Sequence, residues 1–116
     1  MEEGRWMQSM LLDFYGALLT DKQRECYDLH VNEDLSLSEI AEQSGVSRQG
    51  VWDNIRRAEQ TLREIEDKTG LVRRFTELRQ ALASAGRLLA SLEGSLDEEQ
   101  RQAVERLCEK LAQLEE

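Results

Sequence analysis

From Leu71 to Leu92 the apolar residues Leu71, Phe75, Leu78, Leu82, Ala85, Leu89 and Leu92 recur at spacings of 4, 3, 4, 3, 4 and 3 without a miss. Only a helix presents such a series as one stripe, because its side chains return to the same face every 3.6 residues. The chain of 116 residues contains no proline, so nothing in it forces a helix to break. Breaks fall instead at Gly- and Ser-containing turns. The sequence therefore reads as all-α.

The same reading divides the chain into two parts. Over roughly 5–19, Met7, Met10 or Leu11, Phe14 and Leu18 mark a first helix. Thr20 to Gln23 is a capping box opening a second helix to about Val31, with Cys26, Tyr27 and His30 helping to bury it. Asn32, Glu33 and Asp34 make a turn. Ser36 to Glu39 is a second capping box, opening a short helix that carries Ile40 and Ala41 and stops at Ser44 and Gly45. Ser47 then caps a helix with an inward stripe of Val51, Ile55, Ala58, Leu62 and Ile65, extending to about Lys68 before Thr69 and Gly70 stop it. Residues 1–70 form a head. Residues 71–116 form an antiparallel helical hairpin, broken at Gly94, with Ser95 to Glu98 capping a last helix that carries Val104, Leu107, Leu111 and Leu114. The Leu71–Leu92 stripe can be covered by that last helix or by a second copy of the chain.

Between Leu37 and Ile55 the small and apolar residues have fixed steric duties. Ala41 must be small where the next helix crosses, Gly45 supplies the positive φ of a tight interhelical turn, and Val46, Val51 and Ile55 fill the angle between the helices. This is the spacing of a helix-turn-helix. With Val51 and Ile55 inward, Arg48, Gln49, Trp52, Asp53, Arg56 and Arg57 face outward. Arg48 and Gln49 are candidates to read base edges, since arginine forks onto guanine and glutamine onto adenine. Arg56 and Arg57, with Lys22 and Arg24, are candidates to hold phosphates. Gly50 offers close backbone approach. Asp53 opposes phosphate unless paired within its helix, for instance with Arg57 four residues on. Trp52 reads as a core-edge residue before a stacking one.

Leu-Leu-Thr-Asp-Lys-Gln-Arg at 18–24, Leu-Ser-Leu-Ser-Glu-Ile-Ala-Glu at 35–42 and the segment 46–57 resemble region 4 of the sigma-70 family. Together with Asp-Phe-Tyr-Gly at 13–16, they resemble the YlxM family (UPF0122) of small bacterial proteins over about residues 5–70. Gly50 stands where that family commonly carries alanine or another small residue. The resemblance implies a sigma-70 region 4-like helix-turn-helix head and a DNA-binding regulator of transcription linked to the signal recognition particle pathway.

Charge opposes simple DNA binding. Formal net charge is −9, divided as −2 over residues 1–19, −5 over 20–68 and −2 over 69–116. Phosphate neutralisation supplies most non-specific affinity, which is therefore expected to be weak. An acidic chain also suits a basic protein partner, such as a component of the signal recognition particle, with the helix-turn-helix kept as scaffold. DNA binding would call for a homodimer, which sets two recognition helices about 34 Å apart. No enzymatic motif appears: the Cys and His residues lack metal-ligand spacing, and there is no Gly-rich phosphate loop. No catalysis and no cofactor are expected. The acidic N-terminus is unlike a signal peptide, and no apolar run reaches the roughly 18 residues of a membrane span. Cys26 and Cys108 read as buried thiols of a reducing compartment, so the expected location is the cytoplasm.

Overall fold

A computed structural model describes residues 2–115; Met1 and Glu116 lie outside it, as do the side chains of Glu2, Glu3, Glu93 and Glu115. The described residues are all-α. In chain order they form α1 (Glu2–Tyr15), a 3-10 turn (Gly16–Leu18), α2 (Asp21–Val31), α3 (Leu37–Ser44), α4 (Arg48–Thr69), α5 (Leu71–Ser91), a second 3-10 turn (Glu93–Ser95) and α6 (Glu98–Glu115). One compact unit runs to Val72 and another starts at Arg73.

The first unit is built on α4, whose 22 residues span about 33 Å. Its inward stripe joins two cores. Towards the N-terminus, Val51 packs with Cys26 and Ile40, supported by Leu29, Leu35, Ala41 and Val46. Further along, Ala58 and Leu62 pack with Leu11, Tyr15, Tyr27, Val31 and Val72. Ile55 touches both clusters. Val72 is fully buried, so the first residues of α5 belong to this unit.

Both predicted capping boxes of the head are present. Gln23 N donates to Thr20 Oγ1 and Thr20 N to Gln23 Oε1, each at 3.2 Å. Glu39 N donates to Ser36 Oγ at 3.2 Å, with Ser36 N returning to Glu39 Oε1 at 3.1 Å. The cap of α6 differs from the expected Ser95. Asp97 takes that place, accepting from Gln100 N at 2.8 Å and donating its own N–H to Gln100 Oε1 at 3.1 Å. Ser95 is spent on the preceding turn, where its hydroxyl donates to the Leu92 carbonyl.

The α1 stripe also shifts. Leu11, Leu12, Tyr15 and Leu19 are buried, whereas Phe14 and Leu18 are exposed. The 3-10 turn at Gly16–Leu18, with its tighter winding, rotates Leu18 outward and Leu19 inward, whereas Phe14, still within α1, lies off the face that Leu11, Leu12 and Tyr15 bury. Gly16 permits the turn: a Cβ there would meet Leu12 Cδ1 at 3.1 Å.

Two buried phenols fasten the helices around α4. Tyr27 donates to Glu59, which also accepts from Arg63 at 2.9 Å and Gln8 at 3.4 Å. Tyr15 donates to Glu66 at 2.6 Å and shares a 2.5 Å hydrogen bond with Thr69; Glu66 also accepts the Val72 N–H at 3.0 Å. Burial, reinforced by the neighbouring carboxylate, raises the pKa of both tyrosines. No buried side-chain N or O among the described residues lacks a partner.

In the second unit, α5 and α6 are joined through the Glu93–Ser95 turn and meet where Cys108 lies against the Gly86 carbonyl at 4.0 Å. Counting antiparallel from the Gly86–Cys108 contact brings the half-buried Leu82 level with Leu111 and Leu89 level with Val104, each within one residue. No side chain described from Arg73 onward is fully buried.

Candidate nucleic-acid interface

The turn between α3 and α4 sets the site. Gly45 closes α3 with φ +73° and ψ +21°, the left-handed conformation that glycine adopts without steric cost. Ser47 Oγ accepts from Gly50 N at 3.0 Å and starts α4 two residues later. The first turns of α4 thus project beyond α3, with orphan amides and the positive end of the helix dipole foremost.

Two outward rows run along this end of α4. Arg48, Trp52 and Arg56 form one, and Gln49, Asp53 and Arg57 the other, each at i, i+4 spacing. Arg48 and Arg57 are exposed, with no hydrogen-bond or ion-pair partner among the described residues. Trp52 is 45% exposed, and the Arg56 guanidinium lies over its ring, 5.1 Å from the centroid. With Leu37, Arg48 and Gln49 it lines a shallow depression at the mouth of the helix-turn-helix. Trp52 is therefore available at the surface rather than being tucked against the core.

Asp53 is partnered within its helix, but by Gln49 and not by Arg57: Gln49 Nε2 donates to Asp53 Oδ1 at 3.3 Å. Gly50 also has a packing duty. A Cβ there would stand 3.2 Å from Ser47 Oγ and 3.6 Å from Val46 Cβ, so the missing side chain makes room for the cap.

Lys22 and Arg24 do not join this face as free cations. Lys22 Nζ donates to the Ser44 carbonyl at 2.7 Å and pairs with Glu25 at 3.2 Å, holding α2 to the C-terminal end of α3. Arg24 lines a separate depression with Leu12, Asp13, Ala17, Asp28 and Asn32, none of which comes from α3 or α4. The sequence groups both residues with Arg56 and Arg57 as phosphate holders; two positions apart on a helix, Lys22 and Arg24 point about 160° away from each other, which sends Arg24 elsewhere. Leu37, in contrast, lines the depression and was assigned no part from the sequence. Its place at the start of α3, opposite Trp52, is the signal that identifies it.

Charge is polarised along α4. Residues 48–57 carry Arg48, Arg56 and Arg57 against Asp53, a net of +2. Residues 58–69 carry Glu59, Glu64, Glu66 and Asp67 against Arg63 and Lys68, a net of −2. The acid of this region is set back from the projecting turns.

A family model described as "Putative helix-turn-helix protein, YlxM / p13 like" (UPF0122) matches residues 2–99. The chain belongs to this family. It is 48% identical to a UPF0122 protein of Bacillus thuringiensis (strain Al Hakam) over 105 residues, which are 90% of this chain and 94% of that protein. A UPF0122 protein of Bacillus mycoides (strain KBAB4) shows the same identity and coverage. A UPF0122 protein of Thermoanaerobacter sp. (strain X514) is 49% identical over 78 residues, 67% of each chain. The family match extends beyond the head and includes all of α5, further than the resemblance seen in motifs at 5–70. The family is one of helix-turn-helix proteins and not an enzyme family. Among the described residues, no helix is long and apolar enough to cross a membrane.

Proposed function

We propose that this protein is a DNA-binding regulator of transcription, with no catalytic step, that places the first turns of α4 in the major groove. The observation that carries the reading is the projecting net-positive end of α4, where Arg48 and Gln49 are exposed in front of a capped helix start. Arg48 and Gln49 read base edges, and Arg56 and Arg57 hold phosphates on either side. Arg24 has no part in this contact, and Lys22 supports it by fixing the end of α3. A homodimer presents two such helices to adjacent turns of the duplex. The cytoplasm, where bacterial DNA lies, fits the free thiols of Cys26 and Cys108.

Selection of bound fragments from a host genome with purified protein should return a shared motif. Arg48→Ala should then lower affinity for that motif by about 1–3 kcal/mol and relax preference at one position. Unchanged footprints with this variant sink the assignment.

A second reading is favoured by the net charge of −9 together with the apolar lining that Leu37 and Trp52 give the depression. Here the same face docks a basic protein, and the family resemblance points to a component of the signal recognition particle. Under this reading DNA does not compete with the protein ligand, and Trp52→Ala weakens binding more than Arg57→Ala does.

A further inference from the structure

Each helix of the second unit carries two apolar columns, and only one of them is used within the chain. On α5, Leu82, Gly86 and Leu89 are half-buried on the side facing α6. Leu78, Ala81, Ala85, Leu88 and Leu92 form a second stripe at spacings 3, 4, 3, 4 and are all exposed, with Leu78 at 57% and Leu88 at 64%. On α6, Val104, Cys108 and Leu111 are half-buried, whereas Leu107 and Leu114 are exposed, Leu114 at 64%.

Helix geometry says where these unused columns point. At about 100° per residue, the exposed stripe of α5 is turned about 90° from its inward column. On α6 the exposed pair is turned by a similar angle in the same rotational sense. Because the helices run antiparallel, equal turns about opposed axes bring both columns to one side of the hairpin. The result is a flat two-helix layer with one continuous apolar face, about 30 Å long and about 20 Å wide. That area approaches the roughly 800 Å² per partner of a standard stable interface.

We propose that this face is covered by the same face of a second copy, so that two hairpins close a four-helix bundle. The occupant is identified by charge. Over the stretch that lies level with α6, α5 carries Arg79 and Arg87 against Glu77, a net of +1, whereas α6 is net −2. A two-fold axis parallel to the helices lays α5 over the partner's α6, pairing opposite charges. An axis across the helices would set α5 on α5, with like charges facing. In the favoured arrangement Leu78 lies at the level of Leu114 on the other chain, and Ala85 and Leu88 flank Leu107. The surface is thus complementary to itself. The proposal rests on the dimer reading above and names the surface that makes it.

The test uses the full chain without DNA. Light scattering after gel filtration at tens of micromolar protein should give about twice the chain mass of 13.4 kDa. Leu78→Glu combined with Leu107→Glu should return it to the monomer mass with helical content unchanged, since both residues are exposed within the chain. A second measurement avoids disruptive substitution: chains carrying Leu78→Cys are mixed with chains carrying Leu114→Cys, both in a Cys108→Ala background, and treated with a short bismaleimide. Cross-linked dimers should form in the mixture and not from Leu78→Cys chains alone. A monomeric wild type, a double variant that stays dimeric, or cross-linking between Leu78→Cys chains alone overturns the proposal, whatever other protein the hairpin captures. A dimer that fails to retard DNA refutes the DNA reading and leaves this interface standing.

Discussion

Asp53 sits in the middle of the outward face of α4, where a lone carboxylate would repel phosphate, yet its Oδ1 accepts from Gln49 Nε2 at 3.3 Å. One amide hydrogen of Gln49 is thereby held, leaving the second hydrogen and Oε1 for the N7 and N6 edge of an adenine. The carboxylate acts as a positioning group. Asp53→Asn, which keeps the shape but alters the hydrogen bonding, should reduce discrimination at the Gln49 base by about 1 kcal/mol without reducing non-specific affinity. Competition binding with single-base variants checks this; an across-the-board gain in affinity with unchanged base preference would show repulsion to be the whole effect. The tyrosines make a different kind of prediction. Burial and the Glu59 hydrogen bond raise the Tyr27 pKa above its ordinary value of 10.0, so the folded state holds the phenol proton more tightly than the unfolded chain. Stability from this group is fully present below pH 10 and falls as pH rises beyond it, by up to about 1.4 kcal/mol per pH unit. Denaturant unfolding between pH 9 and 11.5 should show that decline in the wild type and a shallower one in Tyr27→Phe. Equal slopes would mean that Tyr27 ionises in both states alike.

The helices are held in place by their ends as much as by their stripes. At Gly45 a Cβ would meet nothing within 4 Å, so any cost of Gly45→Ala comes from the backbone at φ +73°. That cost is about 1–2 kcal/mol, and Gly45→Asn should restore part of it because asparagine tolerates the left-handed region. Thermal or urea unfolding of the three proteins measures it, and equal stability of all three would remove the turn argument. Such local devices were legible in the sequence: Thr20 with Gln23, Ser36 with Glu39, and Gly45 ahead of Ser47 each act within four residues. Three readings failed where the same local pattern admits more than one outcome. Phe14 lies at the edge of the α1 stripe, and Leu18 continues a helical period that the 3-10 turn at Gly16 ends, a turn in which Leu12 packs against a glycine. Ser95 has the right composition for a cap, but its hydroxyl is drawn back to Leu92, and Asp97 takes over. The 4-3 series from Leu71 to Leu92 mixes two faces, because Phe75, Leu82 and Leu89 turn inward while Leu78, Ala85 and Leu92 stay outside. At the candidate site, the outward positions of α4 followed from Val51 and Ile55 alone. The bonds that remove Lys22 from the free cations, and the helix phase that sets Arg24 in a depression with Asp13 and Asp28, involve neighbours that spacing does not show.

For the molecule as a whole, the net charge of −9 and the small number of free arginines set how DNA binding must depend on salt. Each recognition helix offers Arg56 and Arg57 to phosphates, and a dimer doubles them to four. Counterion release then predicts a slope of log Kobs against log salt of about −3.6, at roughly −0.9 per phosphate. The monomeric Leu78→Glu, Leu107→Glu variant, whose substitutions lie outside the head, keeps two contacts and should show a slope of about −1.8 with much weaker binding. Arg57→Ala in the dimer keeps two contacts and should also fall near −1.8, but with its footprint still covering two half-sites about one helical turn apart. The pair of measurements separates loss of contacts from loss of the partner: equal slopes with different footprint lengths are expected only if two heads act through one bundle. A steep slope in the monomeric variant would mean that cations outside α4 carry the phosphates, and the division of labour between the head and the hairpin would be wrong.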